Sequence, residues 1–164
     1  MLERDRLVQR IPHQGVIVRR FTRADIYELY DVIYRLEEIA MEKAIVKFNK
    51  DDDLAKFESI IKMQEEAAKK FDLDSYYELN EEFHTLIFKI ANNSVLTETY
   101  LSLRRSVRPF RMLSMAQGNN LSHSLNEHKE QFRALVKKDI SAAKRAIRKQ
   151  EIRSLRSLEI IFPE

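Results

Sequence analysis

Over most of this chain, apolar residues recur at intervals of three or four positions. That period places them on one face of an amphipathic helix, and short polar segments interrupt it where one helix ends and the next begins. The chain has 164 residues but only two glycines and three prolines, so long helices are favoured over sheets with many tight turns. The pattern predicts an all-α domain whose helices begin near Thr22, Asp51, Asp74, Ser94, Leu121 and Asp139.

The clearest helical pattern runs from Leu79 to Asn93. Its apolar positions are Leu79, Phe83, Leu86, Ile87 and Ile90. Asn80 and His84 lie beside this stripe, four residues apart, so they are neighbours on consecutive turns. Burying an amide or an imidazole without a hydrogen bond or a ligand costs about 1–3 kcal/mol. The pair therefore indicates either a hydrogen-bond network or a cavity in the core.

Two further polar residues fall on apolar stripes, His128 on the fifth predicted helix and Gln150 on the sixth. Inward residues of neighbouring helices can meet in an antiparallel bundle, so Asn80, His84, His128 and Gln150 are candidates for one site. They are either satisfied core residues or the lining of a metal or anion pocket. Imidazoles are good metal ligands and amide oxygens are weak ones, which predicts that Zn, Ni or Mn would be held weakly.

Charged residues also enter these helical patterns. Glu37 lies in the apolar stripe of the first helix, and the fourth helix carries Arg104, Arg105, Arg108 and Arg111. Such a run is typical of a solvated face. Arg108, in line with apolar neighbours, is predicted to turn partly inward and bind the carboxylate of a small ligand, since guanidinium suits that geometry. Arg105 is a second candidate for this role, and Glu37 is the predicted counter-charge when no ligand is bound.

Composition narrows the possible functions. Charged residues form 34% of the chain, interspersed to a formal net charge of +3, which does not by itself indicate a nucleic-acid surface. The absence of cysteine excludes disulfides and a thiol nucleophile. No apolar run approaches a membrane span and the N-terminus lacks the apolar segment of a signal peptide. We expect a cytoplasmic protein without membrane contact.

Residues 1–21 differ from the rest of the chain. Gln9 to Val18 is predicted to form two short β-runs around a turn that contains Pro12 and Gly15. A single hairpin of this size is only marginally stable in water. We therefore interpret the segment as a remnant of a larger unit or as a strand pair that leans on the helices.

Several of these stretches together resemble the FCD ligand-sensing domain of GntR-family bacterial transcription regulators of the FadR type. The resemblance extends from about Thr22 to Leu158. Its motifs are Thr22-Arg-Ala-Asp-Ile-Tyr-Glu-Leu-Tyr-Asp-Val, Leu36-Glu37, Glu82-Phe83-His84, Ala91-Asn92-Asn93, Glu127-His128, Ala134-Leu135, Asp139, Ala143 and Ala146-Ile147-Arg148.

The resemblance implies an antiparallel bundle of six or seven helices, a homodimer, and a small-molecule effector, often a carboxylate, in a central cavity. Many members hold a divalent metal there with Asp or Asn, a His four residues on, and two more histidines. Asn80, His84 and His128 match the first three positions, but Gln150 stands where the fourth histidine is expected. Ile33 also stands where many members carry an arginine, which indicates an effector other than the usual hydroxy or keto acid.

The resemblance divides the chain into residues 1–21, similar to the end of a winged-helix DNA-binding domain with its wing hairpin, and residues 22–164, the effector-binding and dimerisation domain. The recognition helix of a winged helix is missing, so we expect either a fragment of a longer regulator or a stand-alone sensor. Arg10, Arg19 and Arg20 could contact phosphates, but only weakly and in a salt-dependent way.

These observations predict the effector-binding and dimerisation domain of a GntR-type repressor, in which a small carboxylate, with or without metal, changes DNA binding allosterically. One alternative is a helical dimerisation module with a packed core and no ligand. The other is an enzyme that uses a metal-activated water. It is disfavoured because two of the four site residues are amides and no nucleophile or general base is evident.

Overall fold

The computed structural model describes the backbone of residues 8–11 and 15–18 and the whole of residues 21–161. Its six helices within these ranges confirm the predicted all-α fold. They are α1 (Arg23–Lys47), α2 (Lys50–Lys69), α3 (Leu73–Ala91), α4 (Ser94–Met115), α5 (Asn120–Lys137) and α6 (Ile140–Ile161). Two short strands precede them, β1 (Val8–Ile11) and β2 (Gly15–Val18), paired antiparallel with Val8 opposite Val18. That this pair is a wing remnant stays a prediction.

Side-chain caps set the beginnings of α1, α2 and α3. Thr22 caps α1 through a complete capping box, in which its hydroxyl accepts from the Asp25 N–H (3.2 Å) and its own N–H donates to Asp25 Oδ2 (2.8 Å). Asn49 caps α2 and Asp72 caps α3, each about two residues earlier than predicted. Asp51, Asp52 and Asp53 instead occupy the first turn of α2, where their negative charges interact favourably with the positive end of the helix dipole.

The helices enclose one apolar core. α1 packs against α3, α4 and α6, while α2 packs against α3 and α5, and α5 packs against α6. Phe57 of α2 contacts Phe83 of α3 and Phe132 of α5, with ring centroids 5.4 and 5.3 Å apart. This arrangement turns the polar residues of several helices toward the same interior volume. None of the helices described has a stretch that is long and apolar enough to cross a bilayer.

Candidate functional site: a buried polar cluster

All six helices contribute polar side chains to one cluster in the core, which we call the polar cluster. No member is more than 5% exposed. The members are Glu37 from α1, Gln64 from α2, Asn80 and His84 from α3, Arg104 and Arg111 from α4, His128 and Gln131 from α5, and Gln150 from α6.

The structure brings together the four residues that the sequence proposed as one site. Asn80 Nδ2 lies 3.2 Å from His128 Nε2, and Gln150 Nε2 lies 3.4 Å from His84 Nε2. The rings of His84 and His128 meet edge to face with centroids 5.1 Å apart. The four residues thus lie together in the core, while metal binding at these residues stays a prediction.

Two guanidinium groups fix the orientation of the Asn80 amide. Arg104 Nη2 and Arg111 Nη2 donate to Asn80 Oδ1 over 3.1 and 2.9 Å. A guanidinium can only donate hydrogen bonds, so the amide oxygen must face both arginines. The amide nitrogen then faces His128 and donates to its Nε2 atom.

The same reasoning fixes the proton on His128. Because Nε2 accepts from Asn80, Nδ1 carries the hydrogen and donates to Gln64 Oε1 over 3.0 Å. Gln64 Nε2 completes the chain by donating to the backbone carbonyl of Leu79 over 3.0 Å. Each side chain in this series of hydrogen bonds donates to an acceptor, so His128 is a neutral and well-ordered part of the core.

A second series of hydrogen bonds runs from α5 through α6 to His84 on α3, which lies beside Glu37 of α1. Gln131 Nε2 donates to Gln150 Oε1 over 2.7 Å, and Gln150 Nε2 donates to His84 Nε2. His84 Nδ1 lies 3.4 Å from Glu37 Oε1, and this oxygen accepts from the Tyr100 hydroxyl over 3.1 Å. Both histidines thus carry their hydrogen on Nδ1, and each Nε2 lone pair accepts a hydrogen bond from an amide N–H group.

Burial controls the charge of the cluster. It lowers the pKa of His84 well below the usual value, with a further contribution from the positive charge of Arg104. It lowers the pKa of His128 to about 3 and raises that of Glu37 to about 7. Burial is the largest single influence on the pKa of Arg104 and acts to lower it, but Glu81, Tyr100 and Glu37 together outweigh burial and raise the pKa. Within the polar cluster, the groups that stay charged are therefore the guanidinium groups of Arg104 and Arg111.

Some polar atoms of the core lack a hydrogen-bond partner in the part of the chain that the structure describes. They include Arg104 Nη1, Arg111 Nε and the Tyr30 hydroxyl, all donors, and Glu37 Oε2, an acceptor. Arg104 has the carboxylates of Glu81 and, at 3.9 Å, Glu37 for ion pairing. Among the described residues, no carboxylate lies within 4.0 Å of the Arg111 guanidinium. The core thus offers unsatisfied donors on positively charged groups.

The donor set does not fit a divalent metal. The two imidazole lone pairs and the two amide oxygens at the candidate positions already accept hydrogen bonds. The described residues also contain no group of three or more His, Asp or Glu side chains arranged to hold a metal ion. Two guanidinium groups beside the site would also oppose the burial of a further cation.

The structure corrects the assignment of the inward arginines. Arg108 was predicted to turn inward, but its side chain is 56% exposed. It pairs with Glu78 and lies over the Tyr77 ring. Arg105 is also exposed. The predicted pairing of Glu37 with Arg108 is wrong, because Glu37 is buried beside Arg104 and His84. The side chains of Arg10, Arg19 and Arg20 lie outside the described residues, and their DNA contact stays a prediction.

Arg104 and Arg111 were missed as inward residues, although the sequence contains a signal for them. Tyr100, Arg104, Val107 and Arg111 are spaced by four, three and four residues and are all buried. This is the period of an inward helical stripe. The signal is hard to use because arginine is rarely fully buried.

Comparisons with known proteins agree with the fold. The FCD domain family model matches residues 28–150. Among curated relatives, the HTH-type transcriptional repressor RspR of Escherichia coli K12 is 26% identical over 141 residues, which cover 86% of this chain and 61% of the relative. The HTH-type regulator YdhC of Bacillus subtilis 168 is 25% identical over 148 residues, 90% of this chain and 66% of the relative. The chain thus spans less than two thirds of their length.

Solved structures with the same fold include E. coli McbR/YncC, which has a TM-score of 0.84 and 19% identity over 98% of this chain and 81% of its own. A putative transcriptional regulator GntR from Rhodococcus sp. RHA1 has a TM-score of 0.74 and 21% identity over 98% of this chain and 76% of its own. At these identities the similarity establishes the bundle architecture alone.

Proposed function

Because the chain belongs to the FCD domain family, we propose that it is the effector-binding domain of a GntR-type transcription regulator and that its effector is a small carboxylate bound at the polar cluster. The named relatives are HTH-type transcription regulators, which points to a binding protein and not to an enzyme. We further propose that the full regulator is a homodimer that binds DNA through a winged-helix domain.

The observation that carries this proposal is the pair of buried arginines. Arg104 and Arg111 are 2% and 5% exposed, and each keeps an N–H group without a partner among the described residues. Leaving a charged donor buried and unsatisfied costs on the order of several kcal/mol. A carboxylate is the natural complement, because its two oxygens match the donors of a guanidinium in distance and plane.

The position of the cluster offers a route from binding to regulation. Its members come from every helix, so a ligand that bonds to Arg104 and Arg111 on α4 also acts on their partners in α1 and α3. A ligand shifts an equilibrium between two helix arrangements only by as much as its affinity for them differs. In our proposal, this shift alters the spacing of the attached DNA-binding domains.

Thermal melting of the purified chain in the presence of a chelator tests the proposal. A panel of small mono- and dicarboxylates is screened against matched amides and alcohols. A ligand at one hundred times its dissociation constant adds about 2.7 kcal/mol of stability, or about 5–10 °C for a domain of this size. We expect Arg111→Gln to abolish the ligand-induced shift and Arg108→Gln, which removes the same charge from the exposed face of α4, to retain it.

The comparison uses the shift caused by the ligand and not the melting temperature itself, so a general loss of stability in Arg111→Gln does not imitate the expected result. Equal shifts in the two variants would place the ligand elsewhere. If no carboxylate raises the melting temperature of the unchanged chain, the ligand-free dimerisation module becomes the better account.

A further inference from the structure

We infer that the guanidinium of Arg104 takes the place of a divalent metal in this core, so that the resident cation of the site is an arginine. The inference about the site needs only the contacts of the polar cluster. Its consequence for ligand choice rests on the proposed carboxylate effector. Three features of the cluster lead to it.

The first feature is that the imidazole lone pairs are already used. His84 Nε2 accepts from Gln150 over 3.4 Å and His128 Nε2 accepts from Asn80 over 3.2 Å. A metal ion would have to displace both amide N–H groups. These would then lie beside a cation, to which an amide nitrogen offers no lone pair.

The second feature is that the amides cannot simply turn over. Reversing Asn80 would direct its NH2 group at the two guanidinium groups, which are donors only. Reversing Gln150 would likewise break its 2.7 Å bond from Gln131 Nε2. The two amide oxygens therefore stay committed to side chains that donate, and neither is available as a metal ligand.

The third feature is the charge balance. Among the residues that the structure describes, the carboxylates of Glu37 and Glu81 pair with Arg104, and no carboxylate lies within 4.0 Å of the Arg111 guanidinium. A divalent ion would add two further positive charges to a water-excluded volume that already holds two guanidinium groups, of which Arg111 has no carboxylate partner among the described residues. The cost of such uncompensated charge in the core greatly exceeds that of a surface charge. Arg104 supplies the cationic character of the site without it.

This substitution changes which acids the site should prefer. A metal ion favours acids that chelate it through a carboxylate and a neighbouring hydroxyl or carbonyl oxygen. A guanidinium binds the carboxylate group alone, and here Arg104 Nη1 and Arg111 Nε are the guanidinium atoms without a hydrogen-bond partner among the described residues. The site is therefore expected to bind a 2-hydroxy acid and the parent acid without the hydroxyl with similar affinity.

Metal titration of the unchanged chain is the direct test. After removal of metals with a chelator, the protein is titrated with Zn, Ni and Mn by calorimetry and analysed by mass spectrometry for bound metal. We expect no stoichiometric binding that His84→Ala removes. One metal ion per chain, lost in His84→Ala, would overturn the inference.

A gain-of-function variant makes the test sharper. The triple variant Asn80→Asp, Gln150→His and Arg104→Met supplies metal ligands and removes the resident cation. The double variant Asn80→Asp, Gln150→His retains Arg104 as the matched control. Visible absorption of added Co²⁺ should report a protein-bound ion in the triple variant and not in the double variant.

Each outcome of this comparison is informative. Equal Co²⁺ binding by both variants, or none by a triple variant whose circular dichroism shows a folded helical domain, would overturn the role of Arg104. If the triple variant does not fold, the titration of the unchanged chain decides. A carboxylate that raises the melting temperature only when metal is added would contradict this inference and leave the proposed effector function intact.

Discussion

Glu37 shows how the environment of a single residue sets its chemistry. Its side chain is 3% exposed, and one carboxylate oxygen accepts from Tyr100 while the other has no partner among the described residues. Burial raises its pKa to about 7, although the positive charge of Arg104 acts in the opposite direction. Near neutral pH this carboxyl group is therefore poised between its neutral and charged forms.

The raised pKa makes folding stability depend on pH. In the unfolded chain Glu37 loses its proton near its ordinary pKa of 4.5, whereas in the fold it keeps the proton up to about pH 7. Between these values the folded state binds more protons than the unfolded state. The contribution of Glu37 to the free energy of unfolding is therefore fully present below the lower pKa and is lost as pH rises through the higher one. His128, with its pKa lowered to about 3, acts oppositely and destabilises the fold as pH falls below its unfolded pKa.

We expect Glu37→Gln to change the slope of stability against pH. The variant lacks the proton uptake of Glu37. On acidification its free energy of unfolding should therefore fall relative to that of the unchanged chain, by up to about 1.4 kcal/mol per pH unit between about pH 5 and pH 7. In the variant, the destabilisation that His128 causes as pH falls is no longer offset by proton uptake at Glu37. Urea unfolding across that range measures the difference. Glu28→Gln, on the exposed face of the same helix, is the control, and its stability should depend on pH as that of the unchanged chain does. The same pH dependence in Glu37→Gln would mean that the Glu37 carboxyl group is not coupled to folding.

At the scale of single elements, the beginning of α1 depends on a reciprocal cap. The Thr22 hydroxyl and the Asp25 carboxylate each satisfy a backbone N–H group of the other residue. Such N–H groups have no partner within the helix itself. α1 also presents Glu37 to the polar cluster, so the cap helps to hold one part of the site.

We expect Thr22→Ala to lower the free energy of unfolding by about 1 kcal/mol, since it removes the cap acceptor and half of the capping box. Thr22→Ser keeps the hydroxyl and should stay close to the unchanged chain. Urea unfolding with a common slope for all three proteins gives the comparison. If the alanine and serine variants proved equally stable, the box would not contribute to the stability of α1.

The elements also show how far sequence reasoning extends. The beginning of α4 was predicted at Ser94, where the structure has it, because Asn93 is a clear polar boundary. The run of four arginines could not be resolved in the same way. Arg108 is three residues from Arg111 and four from Arg104, so it lies about one side-chain width to the side of their stripe. Only the packing of α4 against its neighbours decides which arginines face the core.

At the scale of the whole molecule, the proposed site is closed. Arg111, the most exposed member of the polar cluster, has only 5% of its surface accessible. A carboxylate can reach it only when helices move apart, and such opening is a local or sub-global event with its own free-energy cost. The four predicted site residues could be found from the sequence because their periodicity is local. Their closure by six helices is a tertiary property that periodicity does not report.

This closure predicts slow, saturable ligand entry. Once a carboxylate that raises the melting temperature is known, its association can be followed by stopped-flow tyrosine fluorescence, since the chain has no tryptophan. The observed rate should level off at the opening rate as ligand concentration rises, because binding then waits for the helices to separate. Amide exchange should slow on ligand binding most in α4, which carries both arginines, and less in α2, which contributes only Gln64. A rate that rises linearly toward the diffusion limit would mean that the ligand binds at the surface.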